Sequence, residues 1–342
     1  MLVNNRNSGI ELLRIILMFG IILMHTITTK VSEPIYIWIN VLGSTGVTCF
    51  ILISGYYGIH LKTKKLLQLD IRFIVFSLLT LVVMVWGGNT VGLKAIVSGV
   101  FPIISHKSWF LSCYVFLNIL SPFLNEFIET MPRARMKAFI LTGSALFLLI
   151  PTIFGFDLMG FGGKDLAHVI LTYFIGRYIR LYADERMKNI KHPGYLFVLV
   201  CIINFLLNYS FYMITHTVNC YYSRDNSILI MVQAILLFYI FQNIKIKSKV
   251  VNYMAKGVLS MHMLETFATY VILFVWDYSS YEGGKWWVLV AMLVVVSKMF
   301  LAFGISEIYK LLFAKLEKYG IGFVNGRIER VLNFVRIKMI YE

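Results

Sequence analysis

A chain of 342 residues that is 59% hydrophobic and 14% charged, with a mean hydropathy of +0.76, cannot cover itself with polar surface in water, so lipid is its solvent. The net charge of +15 comes from Lys and Arg placed mostly in alternate gaps between apolar runs, a pattern that speaks for a cytoplasmic membrane face and against nucleic-acid binding. Four cysteines, Cys49, Cys113, Cys201 and Cys220, share no metal-ligand spacing, and the first three sit in apolar runs as packing thiols.

The first apolar run, Ile10 to Thr29, is long enough to span, carries Glu11 and Arg14, and lacks a small-residue cleavage site, so it reads as a retained span. Further spans are predicted at 36–59, 69–87, 109–128, 138–156, 166–182, 195–214, 228–243, 256–276 and 286–308. Between the third and fourth, Val91 to Ile104 is apolar but broken by Gly99 and Pro102. This stretch reads as an outer-face or re-entrant segment, tolerable only where protein or water satisfies its backbone. The expected fold is therefore an all-α, polytopic membrane bundle of about ten helices with both termini cytoplasmic. Sorting Lys and Arg by gap puts 24 on one side, six on the other (Lys30, Lys94, Lys107, Lys164, Arg224 and Lys285) and two, Arg14 and Lys298, within spans. A transmembrane unit over 1–309 is expected to precede a basic tail over 310–342. In that tail Ile328, Val331, Leu332, Val335 and Met339 recur at helical spacing among Arg327, Arg330, Arg336 and Lys338. Such a helix lies on an anionic leaflet or docks on the bundle; periodicity alone does not choose.

Charged groups inside spans cost roughly 2.5–3.5 kcal/mol each, so each is a functional suspect. Glu11 and Arg14, three apart, can pair on one face. Arg14 and His25 are eleven apart, which brings them to the same face about 16 Å apart along the axis. A lone histidine here would read as hydrogen-bonded within the bundle, but a polar stripe of three must face protein or water.

The run from Arg6 to Ile15, closing on His25, resembles the opening of the acyltransferase 3 superfamily, whose first span carries an Arg, ten residues and a His. Phe50 to Tyr56 is similar to the family's apolar-Ser-Gly-aromatic motif, and Trp109 to Tyr114 with Ser121 to Asn125 to its Trp-aromatic-Leu and Pro-Phe-Leu-Asn segments. The resemblance implies an integral-membrane O-acyltransferase, an O-acetyltransferase, with acetyl-CoA or another acyl-CoA as co-substrate and no permanently bound cofactor. It implies a catalytic His25, a hydroxyl of an envelope polysaccharide or lipid-linked glycan as acceptor, and a bacterial inner or plasma membrane location. The family often has paired arginines after the second span, held to meet the donor; here Lys64, Lys65 and Arg72 occupy that stretch, and which cation takes the role stays open. A late Tyr-apolar-apolar-His pattern is replaced by Ser260 to Glu265, including His262.

Acyl transfer to a hydroxyl needs a base, stabilisation of an oxyanion and a seat for the donor. His25 suits the first. Ser54 is expected near the inner end of its span, some 15 Å or more from His25, so it reads as helix packing and not as a nucleophile. Depth assigns Glu11, Arg14, Arg72, His262 and Glu265 to the inner side with Lys64 and Lys65, where donor phosphates would find cations. His25, Trp109, Tyr114 and His168 fall to the outer side, Trp109 equally as an interfacial belt residue and His168 as a bundle histidine. Lys298 is expected to pair with Glu265 or Glu11, or to be structural. The alternative function is a transporter or flippase of lipid-linked glycans, its path lined by Glu11, Arg14 and His25.

Overall fold

The computed structural model describes residues 7–27, 31–155, 157, 159–187 and 189–341, and among these no strand occurs. The helices are α1 (Ser8–Thr26), α2 (Glu33–Gly43), α3 (Thr45–Tyr57), α4 (Thr63–Trp86), α5 (Leu93–Val100), α6 (Trp109–Thr130), α7 (Arg133–Ser144), α8 (Ile150–Phe154), α9 (Leu166–Tyr178), α10 (Asp184–Met187), α11 (Pro193–Thr215), α12 (Ile228–Gln242), α13 (Lys249–Met254), α14 (Val258–Met263), α15 (Glu265–Val275) and α16 (Trp287–Tyr341). Among the described residues, seven uninterrupted or paired segments are long and apolar enough to cross a membrane: 8–26, 33–57, 63–86, 109–130, 133–154, 193–215 and 287–314. The chain is thus an all-α polytopic membrane bundle. The three other predicted spans fall on the shorter apolar α12, on α9 running through a π turn into α10, and on Lys249–Val275, bent by 81° after Met263.

Local chemistry sets the helix starts. Asn7 caps α1 by accepting from the Gly9 and Ile10 amides, and its own amide donates to the Gln242 carbonyl, tying the first helix to the end of α12. Asp165 caps α9, Ser227 caps α12 and Ser248 caps α13. The predicted span 36–59 is two helices meeting at Ser44. Beyond it, α3 and α9 pack backbone to backbone. A Cβ on Gly55 would overlap the Tyr173 carbonyl oxygen, and one on Gly176 would lie 2.5 Å from that of Leu52. The Ser54-Gly55 step is therefore a close helix crossing, as the small-residue reading expects. Asn125 reinforces it: its amide donates to the Ile59 carbonyl at 2.8 Å while its oxygen accepts from the Tyr173 hydroxyl at 2.6 Å.

The segment 88–108 folds back along α4. Helix α5 descends alongside α4, with Gly99 against Leu81, and Phe101, Ile103 and Ile104 reach the level of Leu67, Asp70 and Ile74. Ile74 lies twelve residues below Trp86, a depth of about 18 Å. Turn hydrogen bonds from Ser105, His106 and Lys107 satisfy the tip, and the Ser112 hydroxyl donates to the Ile103 carbonyl at 2.7 Å. The chain thus starts α6 beside His25, with Lys107, Ser108 and Trp109 lining the same cavity.

At the other boundary, α16 continues without a break past Tyr309 to Tyr341. The side chains of 322–341, on which the amphipathic tail reading rests, lie outside the described ones.

Two measurements check this architecture. Gly55→Val should cut the folded yield in detergent sharply, because the added methyls have no room between two backbones and overpacking typically costs 1–3 kcal/mol or more; normal yield and melting temperature would contradict the crossing. Single-cysteine labelling should place Lys64, Arg135 and Lys247 in the cytoplasm and Lys164 and Arg224 opposite, following the positive-inside asymmetry. Labelling of both sets from one side would refute the map.

Candidate functional site

The polar residues of α1 serve two separate places. At its start, the Arg14 guanidinium donates to the Glu11 carboxylate at 2.9 Å. Both line a pocket of about 460 Å³ together with Ser54, Tyr57, His60, Lys62, Lys65, Tyr114 and Asn118. At its end, His25 stands between two clefts of about 650 and 790 Å³ that share Trp109, Lys164 and His262. Arg14 and His25 therefore face into the protein, as the charged-stripe expectation requires, but into different cavities.

The ring of Phe110, 6% exposed, lies between them: it lines both the Arg14 pocket and one His25 cleft. It packs edge-on to His262 at 5.8 Å and against Tyr114 and Phe50 at 6.0 and 6.3 Å. Phe110 was passed over in the sequence although it sits in the Trp109–Tyr114 motif, because an apolar residue in a span carries no polar signal.

His25 pairs with Glu265 at that end. Nδ1 lies 3.0 Å from both carboxylate oxygens of Glu265. With Nδ1–H donating to the carboxylate, the lone pair of Nε2 is left to accept a proton, the arrangement of a carboxylate-oriented base. His262 is close by, with Nδ1 3.9 Å from Glu265 and Nε2 3.0 Å from the Ser108 hydroxyl, the residue that also caps α6. Lys298 reaches into the same cleft and donates to the Thr26 hydroxyl at 2.9 Å.

These positions correct several expectations. His262 and Glu265 belong with His25, not with the inner cations. A straight span starting at 256 would leave them near its entry, but the helical run starts at Lys249 and breaks at Leu264, which carries both residues deep. Tyr114 faces the Arg14 pocket and not the His25 end, because it lies on the far side of Phe110 from Trp109. Lys298 pairs with Thr26 and makes no ion pair within 4 Å with Glu11 or Glu265 among the described residues. Of the cations expected to meet a donor, Arg14 and Lys65 line the pocket, joined by Lys62 and His60; Lys64 does not. Arg72 is engaged elsewhere, with Nε and Nη2 donating to the two oxygens of Glu317 at 3.1 and 3.2 Å.

Ser54, His168 and Trp109 lie where the sequence sets them. Ser54 donates to the Phe50 carbonyl at 2.9 Å and shares no cavity with His25. His168 is buried, its Nε2 3.2 Å from the Thr48 hydroxyl, away from both clefts. Trp109 walls both clefts beside His25.

The model of an acyltransferase domain family matches residues 7–306, which takes in the Arg14 pocket, Phe110, the His25–Glu265 pair and Lys298. No curated protein and no solved structure matches the chain. Spanning most of the sequence and every residue of the pocket and the two clefts, that match establishes that the chain belongs to the acyltransferase 3 family, the membrane acyltransferases.

Proposed function

We propose that the protein is an O-acetyltransferase of a bacterial cell membrane that moves the acetyl group of cytoplasmic acetyl-CoA to a hydroxyl of an envelope polysaccharide or lipid-linked glycan. The observation that carries this reading is the His25–Glu265 pair, open to two clefts on one side of Phe110, with a cation-lined pocket on the other. In this scheme coenzyme A phosphates meet Arg14, Lys62 and Lys65, which the positive-inside rule assigns to the cytoplasm. The acceptor hydroxyl gives its proton to Nε2 of His25 as its oxygen bonds to the thioester carbonyl carbon. Glu265 holds the Nδ1–H and balances the charge of the imidazolium. The C–S bond then breaks, and the coenzyme A thiolate takes the proton back from His25. Lys298, the nearest buried cation of the cleft, is placed to offset the negative charge of the tetrahedral oxygen. Acetyl is favoured over longer acyl groups because Phe110, Phe50 and Tyr114 crowd the passage between the pocket and the clefts.

The deciding experiment follows label from radioactive acetyl-CoA into base-labile esters of cell glycan, in membranes with and without the protein. His25→Gln keeps size and hydrogen-bonding capacity but removes the titratable nitrogen, so transfer should fall by roughly 10²–10⁴-fold with insertion intact. Glu265→Gln should lower kcat by a comparable factor with little change in the KM for either substrate, since the amide neither fixes the tautomer nor stabilises the cation. Full transfer by a well-expressed His25→Gln protein would refute the assignment, and a purely structural Glu265 would be revealed by lost yield with kcat preserved.

The donor side has its own check. Arg14→Ala and Lys65→Ala should each weaken acetyl-CoA binding by about tenfold or more, the usual worth of a charge-assisted contact. Arg72→Ala should leave donor affinity unchanged and lower the melting temperature, because it strips Glu317 of its partner. A loss confined to the Arg72 variant would move the donor site away from the pocket.

A further inference from the structure

The end of the molecule that holds His25 is poor in cations, with six Lys and Arg in its gaps against 24 at the other. Three of those six, Lys107, Lys164 and Arg224, line the two clefts that flank His25. They come from three separate parts of the chain: the turn before α6, the loop before α9 and the loop before α12. Lys107 and Lys164 are exposed, and none of the three makes an ion pair within 4 Å with a described carboxylate. Arg224 stacks on the Tyr221 ring, its guanidinium carbon 4.5 Å from the centroid, which leaves its N–H edge available.

The carboxylates in the same walls do not cancel them. Glu265 is held by His25, and Glu282 has a partner of its own. Asp225 is 7% exposed, and burial pushes its carboxyl up to about 7, with Lys164 opposing that shift, so it is part-neutral at neutral pH. A membrane protein that keeps its outer loops short of positive charge has gathered half of it around one cavity.

We propose that these clefts select an acceptor carrying negative charge, a carboxylate or phosphate group, set close to the hydroxyl that is acylated. The inference rests on the acyl-transfer reading and narrows its acceptor. Volumes of about 650 and 790 Å³ on the two sides of His25 suit an oligosaccharide stretch and exceed the needs of a single sugar. The apolar face of Trp109 forms a wall common to both. The negative group belongs either to the glycan itself or to the pyrophosphate of a lipid-linked precursor.

The test uses membranes of cells that express the full chain, labelled with radioactive acetyl-CoA. Their glycans are divided by organic extraction and then by anion exchange. Base-labile label should appear in material retained by the anion exchanger. Retention in the organic extract places the charge on a lipid pyrophosphate, and retention in the water-soluble polymer places it on the sugar; either supports the proposal. Label confined to unretained, neutral glycan overturns it while leaving acyl transfer intact. Label in no fraction overturns the acyl-transfer reading and this inference with it. The combined K107Q, K164Q and R224Q variant should lose about tenfold or more of the retained label, with acetyl-CoA binding to the solubilised protein unchanged. Lys285→Gln, at the same end but outside the clefts, should match the unaltered protein, and an equal loss there would reduce the effect to general surface charge and overturn the proposal.

Discussion

A charged group in hydrocarbon must be met by a partner or by water inside the protein, and the functional geometry of this bundle follows from where those partners are found. Glu11 meets Arg14, Glu265 meets His25, and Lys298 meets Thr26. The first of these lies within α1, while the other two bring distant parts of the chain together: α1 contacts α15 through His25 and α16 through Thr26. The first helix is thereby fixed in rotation at its His25 end, and the clefts there inherit their positions from it. A helix free to turn by one residue, about 100°, would present these groups to lipid.

The segment 88–108 is the second half of that construction. By folding back along α4 before α6 begins, the chain delivers Lys107, Ser108, Trp109 and Phe110 to the clefts that His25 lines. Its backbone survives there because its tip closes on its own turns and on the Ser112 hydroxyl.

The sequence made α1 legible because a polar stripe on an apolar helix has a simple geometry: residue spacing converts directly into face and depth. The same conversion failed where the helix was not straight. No proline or glycine announces the break at Leu264, so His262 and Glu265 were set too shallow, and the His25–Glu265 pair was hidden across 240 residues of sequence. Arg72 failed for a related reason. Its partner Glu317 lies 245 residues on, in a helix whose length was underestimated by ending the last span at 308. Ser54 was read correctly, since a small residue beside glycine speaks about backbone approach whatever the helix it meets. The clefts themselves, built from loops around Lys164 and Arg224, have no periodicity from which to read them.

Phe110 has a consequence for the membrane as an insulator. A single water-filled cavity joining Arg14 to His25 would connect the two aqueous phases through a titratable ring, and protons would run down their gradient at every hop. The buried phenyl group, packed among Phe50, Tyr114 and His262, sets an apolar ring between the Arg14 pocket and the His25 cleft, and that ring offers a water file no hydrogen-bonding partner. In the proposed reaction the uncharged thioester end of the donor reaches His25 past an apolar ring of that kind, where a hydronium ion is disfavoured, so the side chain that narrows the passage would also hold back the proton gradient.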